Sequence, residues 1–154
     1  MDNRDALIDA ATDALEKHRS ARSALLRTDA SADSATFKRT SIRQAVVAIT
    51  SSWSYLEATL YHHGRRRLGR NYNDSVVFEA KLRALGITED AILNRARQLR
   101  IVQRDLIHGK ALELGVLDPG KAHIAQNEAE KAVALALEIR QLLDEPEGGS
   151  PLPR

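Results

Sequence analysis

Ile42-Arg43-Gln44-Ala45-Val46-Val47-Ala48-Ile49-Thr50-Ser51-Ser52-Trp53-Ser54-Tyr55-Leu56-Glu57-Ala58-Thr59-Leu60 holds the clearest periodicity in the chain. Ile42, Val46, Ile49, Trp53, Leu56 and Leu60 follow one another at alternating steps of four and three residues. On an α-helix such steps return to one side, so a single apolar stripe runs the length of the segment and needs a partner to cover it. Thr40 or Ser41 can cap its start, and Gly64 or Gly69 can end it.

The flanking segments have the same character. Before it, Leu7, Ala11, Leu15, Arg22 and Leu25-Leu26 are in helical phase over roughly 4–27, followed by a polar stretch, Thr28 to Ser34, read as a loop. After it, Asn71-Tyr72-Asn73-Asp74 is a turn, and a short helix is expected over 75–85, stopped by Gly86. Thr88 with Glu89 and Asp90 opens a fourth helix that runs to about His108, its acids suited to the positive end of the dipole. Asp118-Pro119-Gly120 is a further turn, and a last helix spans about 122–143 with Ile124, Ala132, Leu135, Ile139 and Leu142 inward. No strand pattern separates these segments. The expectation is an all-α, antiparallel bundle of about five helices over residues 1–145, with a disordered Pro/Gly/Ser-rich tail over 146–154.

Composition removes several kinds of chemistry. The chain has 154 residues, 43% hydrophobic and 29% charged, which suits a globular domain. It contains no cysteine, so disulfides, thiolate metal sites and thiol nucleophiles are excluded. No secretory leader and no membrane span is read, and the expected location is cytoplasmic. The net charge is +2, yet 62–110 alone holds eleven lysines and arginines against five acids, an excess of six that leaves −4 for the rest. Such a middle can attract phosphate, although an arginine-rich helix surface has the same signature.

The fourth helix carries the residues with chemical interest. Ile92, Ala96, Leu99, Val102 and Leu106 form its core stripe, while Arg97, Arg100, Arg104 and His108 gather within about 80° on nearly the opposite side. Arg104 and His108 stand one turn apart and can reach a common ligand. An arginine holds phosphate through two hydrogen bonds and a histidine moves protons near neutral pH. Together they supply the minimum for metal-free cleavage of RNA by its own 2′-hydroxyl. Elsewhere, Arg65 and Arg66, with Arg67 and Arg70, are candidate phosphate ligands or a helix end stabilised by the dipole. His62 and His63 point about 100° apart and do not make a chelating pair. Trp53 and Tyr55 read as core or interface, and Glu57 as a buried partner for Arg104 across the bundle. No P-loop, dinucleotide or metalloprotease motif is present. No short helix pair of the helix-turn-helix kind stands out.

Gln103-Arg104-Asp105-Leu106-Ile107-His108-Gly109 resembles the signature of HEPN domains: arginine, a polar residue, then histidine at a helix end, often followed by glycine. Ala45 to Leu60, with Trp53-Ser54-Tyr55-Leu56-Glu57-Ala58, resembles that family's long helix. Phe78 to Leu85 resembles a short segment that many members place before the motif helix, and Glu128 to Leu143 their closing helix. The likeness covers about 42–143. It departs at one point: the family encloses four to six residues between arginine and histidine, and Arg104 and His108 enclose three, so Arg100 or Gln103 is an alternative occupant of the first position.

The resemblance implies a HEPN-like fold acting on RNA, as a metal-independent endoribonuclease of a toxin–antitoxin or defence system. Arg104, Asp105 and His108 would be catalytic, with Arg97, Arg100, Arg65 and Arg66 contacting RNA. It further implies a homodimer, an antitoxin protein as partner, and no metal or organic cofactor. The alternative of the same fold is a non-catalytic module that binds RNA, nucleotide or protein.

Overall fold

The structure, a computed structural model, describes residues 2–27, 32–108 and 119–144. Its helices are α1 (Asn3–Arg27), α2 (Ala32–Leu68), α3 (Phe78–Ala84), α4 (Asp90–His108) and α5 (Pro119–Asp144), with one 3₁₀ turn at Gly69–Asn71. There is no strand among the described residues. The all-α bundle of five helices expected from periodicity is what the chain forms, although its central pair departs from the expected antiparallel order.

Cross-links between helices give their directions. Gln126 Nε2 donates to Ser41 Oγ at 3.2 Å near the start of both α2 and α5, and Arg67 donates to the Leu143 carbonyl at 2.7 Å near their ends. α2 and α5 therefore run parallel. Arg95, early in α4, pairs with Glu138, late in α5, so α4 runs against them. α1 packs along α2 in the opposite sense, and among the described residues α1 and α4 make no contact with each other. The central pair α2–α5 thus separates an α1 side from an α4 side.

The buried stripe of α2 is Val46, Ile49, Trp53, Leu56 and Leu60, while Ile42 is half-buried. All five expected α4 residues, Ile92, Ala96, Leu99, Val102 and Leu106, are buried. α3 docks on α2 through Phe78, whose ring lies 4.7 Å from Trp53, and through the fully buried Leu82. Gly86, at φ +87°, then turns the chain; Ile87 N–H reaches back to the Leu82 carbonyl at 3.0 Å, and both side chains are buried. That is the Schellman closure, which favours glycine because φ is positive.

Several expectations are corrected. α2 does not start at Thr40 or Ser41: it begins at Ala32, so 32–34 are helix and not loop. Ser41 is wholly buried, with its carbonyl and Oγ against His18 of α1, and is not a cap. Gly64 does not end α2 either. A Cβ there would lie 2.2 Å from the Tyr72 ring, so the glycine lets that ring lie on the helix backbone, and Gly69, at φ +53°, follows the last residue. In α5 the inward seam includes Ala125, Ala129, Ala132 and Ala136, and Ile124 is exposed. Alanine lets a neighbouring helix approach closely. Pro119 and Gly120 of the expected turn are the first residues of α5, where a proline's missing N–H costs no helix bond, while Asp118 and the tail over 146–154 lie outside the described residues.

Candidate functional site

α4 presents its outer face through residues that the core stripe leaves free. Arg97 is exposed and has no ion pair or hydrogen bond among the described residues. Arg104 is 56% exposed, and its Nε lies 3.7 Å from Oδ1 of Asp105, itself 55% exposed. That exposed pair is weak, and both groups remain available to a ligand. His108 is the last residue of α4, and its side chain lies outside the described residues.

Arg100 has a different role from its neighbours. Its Nη2 and Nε stand 3.2 and 3.4 Å from Oε1 of Glu79, on α3. The Glu79 side chain is only 11% exposed and that of Arg100 32%. A carboxylate taken that far out of water needs a cation, and Arg100 is the one that reaches it. The pair ties α3 to α4, so Arg100 is engaged in the fold where Arg97 and Arg104 are not. Glu57 is exposed and is not the buried partner of Arg104: Arg104 stands on the outer face, with Asp105 as its counter-charge.

The remaining candidates sit elsewhere. Arg65 and Arg66 are exposed near the C-terminal end of α2. Because α4 runs against α2, that end lies by the start of α4, and Arg104 lies at the other end of the bundle. The seven residues named from the sequence therefore form two separate groups, not one site. In the α2 group, Arg67 caps the Leu143 carbonyl, while Arg65, Arg66 and the nearby Arg70 have no partner among the described residues. Tyr72 beside them donates to Asp74 at 3.3 Å, and burial followed by Asp74 pushes its hydroxyl up to about 12.

Two histidines are buried: His18, not singled out from the sequence, and His63, named there only as half of a pair that does not chelate. His18 is 1% exposed, with Nδ1 3.0 Å from the Ser41 carbonyl, which makes Nδ1 the donor; Ser41 Oγ is also at 3.0 Å. His63 is 8% exposed and its Nε2 lies 3.6 Å from Asp144 Oδ1. Burial, then the Arg67 cation, holds His63 below its ordinary value of 6.5. Both follow the apolar stripes: Ile8, Ala11 and Leu15 step on to His18, and Trp53, Leu56 and Leu60 to His63. Continuing the period would have found them. Among the described residues no three histidines, aspartates or glutamates gather as metal ligands.

An open groove of about 620 Å³ lies between α4 and α5, lined by Asn94, Gln98, Leu99, Glu128, Lys131 and Leu135 among others. None of the sequence candidates lines it. No helix among the described residues is long and apolar enough to cross a membrane. Set beside known proteins, the chain matches no family model, no curated protein and no solved structure.

Proposed function

We propose that this bundle acts on RNA through the outer face of α4, as a HEPN-like, metal-independent endoribonuclease. The observation that carries the reading is Arg104: an exposed arginine on a packed helix, one turn before His108, with only its neighbour Asp105 as a partner among the described residues. Arg97, two turns earlier, adds a second cation on that face with no partner among the described residues. In this reading Arg104 binds the scissile phosphate and Asp105 orients it. His108 takes the proton from the 2′-hydroxyl, the oxygen attacks phosphorus, and the bond to the 5′-oxygen breaks as that oxygen gains a proton from solvent. The products are a 2′,3′-cyclic phosphate and a 5′-hydroxyl. The resemblance adds a homodimer and an antitoxin partner to the proposal.

The test is cleavage of single-stranded RNA in EDTA. His108→Ala should cost about 10²–10⁴ in rate, and Arg104→Ala should lower both rate and affinity. A second reading, binding without cleavage, draws on Arg100: Glu79 holds it, leaving the face fewer free cations than the sequence suggests. Wild-type protein that binds RNA with salt-sensitive affinity yet never yields the cyclic phosphate would establish that second reading.

A further inference from the structure

The C-terminal end of α2 carries exposed rings next to free cations. Tyr61 is 49% exposed, His62 is exposed, and Arg65 and Arg66 follow one turn later. At about 100° per residue these four residues spread over roughly 140° of the helix surface, one continuous outward face. Glu57, a turn before Tyr61, is exposed and bounds it on the acidic side. Arg70, in the 3₁₀ turn, lies just beyond.

Each exposed ring is steadied by a buried one. Tyr61 meets Tyr72 edge-on, with centroids 6.2 Å apart and planes at 73°, and Tyr72 is 7% exposed. His62 meets His63 edge-on, at 5.4 Å and 89°, and His63 is 8% exposed. Tyr72 is itself fixed, by its bond to Asp74 and by the space that Gly64 leaves for it. An edge contact near right angles covers at most one face of a ring, so each exposed ring keeps the other face open to a base. The cations complete the picture. Arg67 reaches the Leu143 carbonyl of α5, and Arg65, Arg66 and Arg70 have no partner among the described residues, so their guanidinium groups are open to phosphate.

We propose that Tyr61, with His62 beside it, is a stacking platform for a base of single-stranded RNA whose flanking phosphates are held by Arg65, Arg66 and Arg70. Base–aromatic stacking beside a positive track is how single strands are bound without regard to sequence. A paired base has both faces covered by its neighbours, so a duplex cannot use the rings. The platform takes its RNA partner from the reading above but stands at the opposite end of the bundle from Arg104, where it would grip a strand away from the bond to be cut. Because the rings are already fixed, little side-chain entropy is lost when a base arrives.

The test is fluorescence anisotropy of a labelled oligouridylate strand and of a labelled RNA duplex, across a salt series. Tyr61→Ala should weaken the strand by about 5–150-fold, the range that stacking on one ring implies, and leave the duplex unchanged. Tyr61→Phe keeps the ring and should bind as wild type. Arg65→Gln and Arg66→Gln, both at exposed positions, should each lower the slope of log affinity against log salt by about 0.7. Equal binding of the strand by Tyr61→Ala and wild type overturns the platform, and so does equal weakening of strand and duplex. Arg104→Ala separates this proposal from the α4 reading. Loss of RNA binding or cleavage with Arg104→Ala while Tyr61→Ala is silent leaves the α4 reading standing alone. The reverse pattern leaves the platform and removes α4 as the RNA face.

Discussion

Replacing Arg100 with alanine should damage the fold and not the phosphate chemistry. The guanidinium sits 3.2 Å from Glu79 Oε1, and the glutamate side chain retains 11% of its exposure. Removing one member of a fully buried pair costs about 3–5 kcal/mol, because the other charge stays buried alone. Arg100 keeps about a third of its surface in water, so screening and an inflow of solvent reduce that, and about 1–3 kcal/mol is expected. Arg104 sits in an exposed pair, and its loss should cost less than about 1 kcal/mol. Urea unfolding of the wild type, Arg100→Ala, Glu79→Gln and the double variant makes a cycle. The double variant should lose less than the two singles added together, since neither then leaves an unpaired charge. RNA affinity should fall with Arg104→Ala and hold with Arg100→Ala wherever the protein is folded. If Arg100→Ala unfolds at the wild-type urea midpoint but no longer binds RNA, Arg100 is the functional arginine and the assignment made from Glu79 is wrong.

Three further outcomes are expected. Gly64→Ala should lower stability by about 1–3 kcal/mol despite the gain of up to about 1 kcal/mol that alanine brings to a helix, since its Cβ would lie 2.2 Å from the Tyr72 ring; a higher urea midpoint would show that the ring does not rest there. His63, held below 6.5 by burial and then Arg67 against the pull of Asp144, takes up its proton more readily when unfolded. Its contribution is therefore complete above about pH 6.5 and is lost as pH falls below that toward its folded value, and His63→Gln should flatten the slope of unfolding free energy between about pH 5 and 7. Sedimentation at micromolar concentration should show a dimer, and a single 17.0 kDa species would reject it.

Amphipathic segments were legible in the sequence wherever large side chains marked the inward face. The α4 stripe is the plainest case, since every residue expected inside is inside. In α5 Ala132, Leu135 and Ile139 are inside as expected and Leu142 is half-buried; Ala125, Ala129 and Ala136, whose small size gives little signal, complete the seam, and Ile124 faces out. The polar start of α2 belongs to the helix although Asp33, Ala35 and Thr36 are exposed, so no apolar pattern announces it. Arg100 and Arg104 stand only about 40° apart on a helical wheel. What distinguishes them is Glu79, delivered by a helix of seven residues whose placement no periodicity records.

The parallel α2–α5 pair also bears on how quickly the chain can fold. α1 and α2 are consecutive in the chain, α1 ending at Arg27 and α2 starting at Ala32, so their packing joins residues near in sequence. Gln126–Ser41 and Arg67–Leu143 join residues 85 and 76 positions apart. Loop closure of that length carries an entropic cost before any contact offsets it, and rates fall as such distant contacts dominate. On that ground the α1–α2 pair should nucleate first and α5 dock later: substitutions in the alanine seam of α5 should chiefly hasten unfolding, and those at Ala11 or Leu15 retard folding itself, as chevron kinetics would read.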